Sequence, residues 1–460
     1  MKLTNIKDIF KNKISIDSLI KINGWVKNKR ISKSNLIFID LYDGSFINTL
    51  QIVSNNKLLN YYTEIIKLTT GCSISVKGKL IKSFKDKEKL ELHVLELNVL
   101  GWVKNPNFYP ISSKKHTMEH LRKFSHLRSR TNIIGAISRI RSVVFQGFHN
   151  YFYKNGYYWV PSPIITSINS EGAGEMFSVL NENFKENNID KNNNFFGKKV
   201  FLTVSGQLTI ESYACSISKV YTFGPIFRAE NSNTTRHLSE FWMLEVELAF
   251  LNLNKIIHVI EKILKYVISL VLKNNYEDLL FLKKNINENI IFRLKKFVSS
   301  KIKKINYVDA VKILKENYNF NDNSIFFGMD LNSDHEKFLV DKYFKAPLII
   351  LNYPKELKPF YMRINDDNKT VSNLDILFPG VGEIIGGSQR EERIKYLEKR
   401  ILELKLNKKH YKWYRDLRNY GTVPHSGFGL GLERLIMYIT GIKNIKDVIP
   451  FPRTIKNADF

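Results

Sequence analysis

Cysteine is scarce in this sequence: only Cys72 and Cys215 occur in 460 residues, too few and too far apart for a disulfide framework or a CxxC metal site. A stapled secreted module is therefore excluded, no zinc is expected, and a reducing compartment is. Long apolar runs are missing too. The greasiest stretch, residues 256–272, is interrupted by Glu261, Lys262 and Lys265, which fits an amphipathic core helix and not a membrane span of about 20 apolar residues. The opening MKLTNIKDIFKNKISI has no continuous apolar segment or small-residue cleavage site, so no secretory signal or membrane partner is expected and the chain reads as cytoplasmic. Acidic residues are outnumbered, 44 Asp and Glu against 71 Lys and Arg, and the net charge of +27 points to a polyanionic partner, nucleic acid first. Part of that excess belongs to the Lys, Ile and Asn drift of an AT-rich genome. No unit of about 20–50 residues repeats, which excludes solenoids and propellers.

The length and average composition predict several globular domains. Between Leu19 and Val103, short alternating segments broken by turn residues (INGWV, LIFIDLYDGS, INTLQIV, GCSISVKGKLI, KLELHVLELNVLGWV) predict a five-stranded antiparallel barrel of the oligonucleotide-binding (OB) kind over residues 1–105. Residues 106–130, with Pro106, Pro110 and a dense basic run holding His116, His120 and His126, read as a hinge or short phosphate-touching helix, with a solvated linker as the alternative. From 131 onward the chain reads as one large domain. It opens on a helix with Ile133, Ile134, Ile137, Ile140, Val143, Val144 and Phe148 at helical spacing, stopped by Gly156 before a strand YYWVPSPIIT. Residues 181–194 are an Asn-rich surface insertion, and residues 254–345 a Lys-rich helical embellishment between two halves of a sheet.

Three constellations carry chemistry. In KVYTFGPIFRAE and FWMLEVELAF, read as strands, period two puts Arg228 and Glu230 on one face, and Phe241, Glu245 and Glu247 on one face opposite Trp242, Leu244, Val246, Leu248 and Phe250. Several charges on one face suggest a ligand; a solvated outer sheet face is the bland alternative. In NLDILFPG and GEIIGGSQREER, Asp375 and Glu383 suit Mg²⁺ arriving with phosphates, Ser388 and Arg390 stand nearby, and Gly386 and Gly387 let a substrate approach the backbone. In HSGFGLGLERLIMYIT, Gly427, Gly429 and Gly431 clear space for a flat base, and Arg434 at the helix start could clamp a terminal phosphate; glycines kept for close packing explain the spacing but not the Arg. No GxxxxGK followed by Ser or Thr occurs, and the one near-match to GxGxxG is out of register.

The segments FRAENSNTTRHLSEFWMLEVELAF, SPIITSINSEGAGEMF, FLTVSGQLTIESYAC, GEIIGGSQREER and WYRDLRNYGTVPHSGFGLGLERLIMYITGIKNIKDVIPFPRT closely resemble the class II aminoacyl-tRNA synthetases of the aspartate, asparagine and lysine subgroup, from the barrel to the last residues. The resemblance implies an α+β fold: an antiparallel catalytic sheet flanked by helices behind an N-terminal OB-fold anticodon-binding barrel, in a homodimer built around the first helix, the following strand and Pro163. It implies ATP with Mg²⁺, L-asparagine and tRNA(Asn) as partners. Arg228 is expected at the α-phosphate, Glu230 and Phe241 at the adenine, Arg236 and His237 at phosphates and the acceptor end, and Gly431 and Arg434 at the γ-phosphate. Glu383 is the expected Mg²⁺ ligand and Asp375 a second. Glu171, Ser205 and Gln207 are expected near the α-amino group, Arg390 and Glu245 at the side chain, and Phe38 and Gln51 at anticodon bases, with a core aromatic as the alternative for Phe38.

Asparagine is favoured over aspartate because Glu245 would accept from an amide and oppose a carboxylate, and because residues 254–345 are too short for the extra domain of aspartate-specific bacterial relatives. The rivals are such an aspartate enzyme, a nonenzymatic RNA-binding paralogue, and a fold relative that makes free asparagine. The paralogue would have lost Arg228, Glu383 or Arg434, and the fold relative lacks the barrel. RISKS at 30–34 is similar to the class I signature KMSKS, but no HIGH partner exists and it reads as chance. His425 reads either as shaping the ATP pocket or as packing.

Overall fold

The alternation of the first hundred residues closes on itself. In the computed structural model, which describes residues 3–83, 86–112, 114–169, 175–180, 195–318 and 325–460, strands β1 (Leu19–Ile31), β2 (Ile37–Tyr42), β3 (Leu50–Ser54), β4 (Ser73–Lys82) and β5 (Leu90–Gly101) form a barrel in the order β1-β2-β3-β5-β4. Only the β3–β5 pair is parallel. Ile20, Ile22 and Val26 alternate inward along β1 and meet Ile37, Ile39, Leu41, Ile52, Ile74 and Val76, while Ile6 and Ile9 of α1 (Ile6–Phe10) plug the core. At the β4–β5 register shift after Lys77, a Cβ on Gly78 would lie 2.3 Å from the His93 carbonyl oxygen, so this bend requires glycine. The basic connector belongs to the same compact unit, Met1–Ser138, and holds α2 (Met118–Lys123), capped by Thr117 accepting from the His120 N–H.

The second unit, Arg139–Phe460, is built on an eight-stranded sheet. The long helix α3 (Asn132–Lys154) leads into β6 (Tyr158–Trp159); β7 (Ile165–Thr166) and β8 (Phe201–Leu202) form a separate pair, followed by α4 (Gln207–Ile217). Then come β9 (Lys219–Phe227), β10 (Glu240–Ala249), α5 (Leu253–Asn274), α6 (Tyr276–Asn285), α7 (Ile290–Ser299), β11 (Lys303–Asn306), α8 (Tyr307–Asn317) and α9 (Ser333–Lys337). The chain closes with β12 (Leu348–Leu351), β13 (Asn373–Phe378), β14 (Gly382–Gln389), α10 (Ile394–Glu403), α11 (Lys412–Asn419), β15 (His425–Gly431) and α12 (Leu432–Thr440). The sheet order is β11-β12-β13-β14-β15-β10-β9-β6, antiparallel through its six inner strands and parallel at both edges. Helix α5 buries Ile256, Ile260, Ile263, Leu264, Val267 and Val271 along one stripe, the core helix expected. No helix among the described residues is long and apolar enough to cross a membrane.

Four local expectations are corrected. The strand YYWVPSPIIT is only two short pieces, because Pro161 and Pro163 lack the N–H a continuous ladder needs. RAE is not strand: β9 stops at Phe227, and Arg228 and Glu230 stand on the loop beyond it. Phe250 leaves β10 with φ +62° and is exposed, so it does not share the apolar face. The helical region is more than an embellishment, since β11 extends the sheet in parallel beside β12 and α9 reaches the edge of the cavity described below.

Ile39 is fully buried in the barrel. Ile39→Ala should cost the barrel about 2–5 kcal/mol, lowering its urea midpoint as followed by Trp25 fluorescence; an unmoved midpoint would contradict this core assignment.

Candidate active site

Two rows of paired positions across the sheet explain where the charges sit. In the first, Asp375, Gly386, Gly429, Glu245 and Thr222 stand opposite one another on β13, β14, β15, β10 and β9. In the second, Ser388, Gly427 and Glu247 line up across β14, β15 and β10. Side chains two apart on a strand share a face, so both rows open on one side. There the sheet forms the floor of a cavity of about 640 Å³. Of the residues singled out in the sequence, it is lined by Ser205, Gln207, Arg228, Glu230, Arg236, His237, Phe241, Glu245, Asp375, Glu383, Arg390, Gly431 and Arg434.

One cluster is cationic. The Arg228 guanidinium lies 5.5 Å from the centre of the Phe241 ring. Arg434 donates to the Glu383 carbonyl at 2.7 Å, and its pKa is lowered by burial, with Glu383 opposing and Arg236 and Arg228 adding to the shift. Arg236 donates to Glu336 of α9 at 3.2 Å and to the Val381 carbonyl. His237 Nδ1 shares a hydrogen bond with the Thr234 hydroxyl at 2.6 Å, and its pKa is lowered by burial, against Glu230 and with the help of the three arginines. Three guanidinium groups brought this close are a receptor for a polyanion.

A second cluster is polar and deeply buried. Glu245 accepts from the Ser205 hydroxyl and, at 2.8 Å, from the Gly206 N–H. Arg390 pairs with Glu247. Its Nε donates to Glu247 at 3.1 Å, Nη2 donates to the other Glu247 oxygen, and Nη1 donates to Ser388 at 2.8 Å. Burial works against the charge on Arg390, but Glu247 outweighs it and the guanidinium pKa is raised. Gly427 makes this pair possible, because a Cβ there would stand 2.0 Å from a Glu247 oxygen. Beneath lies Glu211, fully buried, which accepts from Tyr414 at 2.8 Å and from Arg418 at 2.6 Å, with His425 Nε2 at 2.8 Å.

Asp375 and Glu383 converge: a Cβ at Gly386 would lie 3.1 Å from Glu383 Oε1 and 3.7 Å from Asp375 Oδ1. The other Asp375 oxygen accepts from Lys358 at 2.5 Å, and burial pushes the Asp375 carboxyl up to about 6 against the pull of that lysine. Two carboxylates over a glycine fit a hard cation that completes its shell with phosphate oxygens and water. No group of three or more ligating side chains occurs among the described residues.

Two of the other expected residues form a separate cluster on the barrel. Gln51 accepts from Arg30 at 2.7 Å and donates to Glu91 at 2.6 Å, and Arg30 lies 5.1 Å from the Phe38 ring. Phe38 is half-buried between the inward Ile37 and Ile39, so it is not a core aromatic, and RISKS is simply the end of β1 and its turn. Pro163 is exposed beside Ile164 and Ile165, with Tyr153, Tyr158 and Trp159 also exposed. Glu171 and the 181–194 insertion lie outside the described residues.

Sequence reasoning missed several neighbours. Period two had already set Glu247 beside Glu245 on the charged face, though not as the partner of Arg390, whereas Glu211, one helical turn from Gln207, went unflagged. Lys358 and Glu336 come from distant segments with no motif to flag them.

Residues 117–455 match the family model "tRNA synthetases class II (D, K and N)", and residues 20–100 match the OB-fold nucleic acid binding domain. The chain is 59% identical over its whole length to the full-length asparagine–tRNA ligase of Buchnera aphidicola subsp. Acyrthosiphon pisum, and 49% identical, again over both full lengths, to that of Escherichia coli O139:H28. Among solved structures it is similar to the asparaginyl-tRNA synthetase of Pyrococcus horikoshii complexed with asparaginyl-adenylate, at 30% identity, a TM-score of 0.85 and 96% coverage of both chains. The Entamoeba histolytica asparaginyl-tRNA synthetase in complex with asparaginyl-adenylate gives 27% identity, a TM-score of 0.85, and coverage of 100% of this chain and 99% of that one.

Burial would raise the Glu211 carboxyl, but Arg418 and His425 hold it well below the usual range. A carboxyl depressed in the folded state stabilises it above the unfolded pKa, about 4.3, and that contribution is lost as pH falls. Glu211→Gln should therefore be less stable than wild type near neutrality, with the gap in thermal midpoint narrowing as the solution is acidified; a gap that widens in acid would refute the assignment.

Proposed function

The chain belongs to the class II tRNA synthetases of the D, K and N group, and from that premise we propose that it attaches L-asparagine to tRNA(Asn) at the expense of ATP. The observation that carries this reading is the junction, in one cavity, of the arginine cluster with the buried amide-sized cluster at Glu245 and Arg390. The first suits a triphosphate and the second an uncharged polar side chain.

The asparagine carboxylate attacks the α-phosphate of ATP in line, pyrophosphate leaves, and the adenylate then esterifies the terminal ribose of the tRNA. No protein nucleophile is needed; the residues position and neutralise. Arg228 takes the α-phosphate and Arg434 the γ-phosphate, with Arg236 and His237 on the loop between β9 and β10 at the leaving group and the tRNA end. Phe241 and Glu230 hold the adenine, and Gly431 keeps the start of α12 clear. Ser205, Gln207 and Glu171 receive the α-amino group. Asp375 and Glu383 would hold Mg²⁺. Bound with ATP, that ion supplies charge neutralisation at the phosphates.

Selection of the amide follows from the charge balance. Arg390 uses three of its five N–H donors on Glu247 and Ser388 among the described residues, so it retains donors for a carbonyl oxygen while Glu247 cancels its charge. Glu245 then accepts from the amide NH₂ and repels a carboxylate. An Arg390 without Glu247 would draw aspartate.

On the barrel, Phe38 and Gln51 read anticodon bases by stacking and hydrogen bonding, with Arg30 and Glu91 holding Gln51 in place. Two chains pair through the surface around Pro163, because exposed Tyr153, Tyr158, Trp159, Ile164 and Ile165 form the kind of apolar patch that a partner covers.

ATP–pyrophosphate exchange with Mg²⁺ and no tRNA should respond to asparagine and not to aspartate or lysine, and Arg434→Ala should slow it about 10²–10³-fold. Exchange with aspartate would overturn the substrate reading. Glu245→Gln should raise aspartate exchange relative to asparagine by about tenfold or more, equivalent to about 1.4 kcal/mol of discrimination. In sedimentation, the wild-type chain should run as a dimer and Trp159→Asp as a monomer; a monomeric wild type would remove the dimer.

A further inference from the structure

The Glu211 cluster has no part in the chemistry above, yet it is the most completely buried set of charges beside the cavity. His425 decides its character. Nδ1 lies 2.7 Å from the Val423 carbonyl and Nε2 lies 2.8 Å from Glu211 Oε1. A carbonyl can only accept, so Nδ1 carries a hydrogen. A neutral ring would then turn a lone pair on Nε2 toward a carboxylate oxygen that already receives Arg418 at 2.6 Å. That arrangement is repulsive unless one of the two groups takes a second proton. Arg418 at the same oxygen favours the ionised carboxylate, which leaves the proton on the ring.

The surrounding charges agree. Glu211 from α4 and Glu247 from β10 act on His425, while the Cys215 thiol of α4, Tyr414 and Arg418 of α11, and Arg390 just beyond β14 surround Glu211. Burial and Glu211 push the thiol up to about 11, so it is neutral. Glu211 is paired with Arg418 and Glu247 with Arg390, and a positive His425 acts favourably on both carboxylates. Buried charge is tolerated when it is paired in this way.

The cluster touches the substrate wall at two points. Glu211 accepts from the Gln207 amide at 3.5 Å, one turn back along α4. The His425 carbonyl accepts the Arg390 backbone N–H at 2.9 Å, setting the start of the side-chain clamp. We infer that Glu211 is a positioning residue for the amino-acid end of the site: it holds His425 as an imidazolium and, through His425 and Gln207, fixes where the side chain and α-amino group of the substrate bind. This rests on the reading of the cavity as an asparagine adenylation site.

The first measurement is the nitrogen spectrum of the full-length chain labelled with ¹⁵N-histidine, with the His425 signals assigned by their loss in His425→Asn. Both ring nitrogens of His425 should carry hydrogen in that spectrum, because each faces an acceptor oxygen; one bare nitrogen overturns the inference. The second is exchange kinetics. Glu211→Gln should raise the KM for asparagine about tenfold or more while the KM for ATP stays within about twofold, the loss of one charge-assisted contact. Both KM values rising together, or neither, would mean a merely structural role. Should Glu211→Gln fail to fold, Tyr414→Phe, which removes one donor to Glu211 and keeps the ring, should raise the asparagine KM about threefold with the ATP KM unmoved; no change overturns the inference. A wild-type chain silent with asparagine overturns the functional reading and this inference with it. Normal wild-type exchange with an unmoved Glu211→Gln overturns the inference alone.

Discussion

The buried pair of Arg390 and Glu247 is the constraint on which the rest of the second unit depends. An arginine and a glutamate with 2% and 0% of their surface exposed are tolerable only when paired and hydrogen-bonded to each other, and each contact imposes something on the backbone. Glu247 needs Gly427 opposite it, since any side chain there would collide with the carboxylate. Ser388 must lie on the far side of Gly427, which fixes the register of β14 against β15. That register in turn sets Gly386 beside Gly429 and opposite Asp375, opening the space that the second pair of carboxylates shares.

Around this pair the molecule separates two kinds of charge. The arginines near Arg434 are drawn together at a cost in desolvation that a polyanion would offset, and the downward shift at Arg434 is the mark of it. Deeper in, the charges are matched one to one, so that Arg390 is neutralised before any substrate arrives. A pocket with a net positive guanidinium would favour a carboxylate side chain, whereas a neutralised guanidinium beside Glu245 favours an amide. The same residue type thus serves opposite ends depending on whether a glutamate reaches it.

Much of the fold was legible because its signals are local. Period two gave the five barrel strands and the single charged face of β10, and period 3.6 gave α3 and α5. Proline and backbone geometry explain the misses. Pro161 and Pro163 broke an expected strand, and Arg228 lies on a loop where period-two reasoning does not apply. On the barrel, alternation between Ile37 and Ile39 already turned Phe38 outward, but its partnership with Arg30 needed β1 and β2 to be paired.

By itself the sequence determined which segments become strands and helices, which faces carry charge, and, through its ordered motifs, the family to which the chain resembles and belongs. These are properties of neighbours along the chain, where bond geometry sets the spacing. Tertiary structure alone decided the partners: Arg390 with Glu247 across 143 residues, His425 with Glu211 across 214, and Arg236 with Glu336 across 100. Hydrogen bonds and ion pairs act over a few ångströms in space and carry no trace of distance along the chain, so only the closed sheet could show that Arg390, expected at the substrate side chain, is itself held by Glu247.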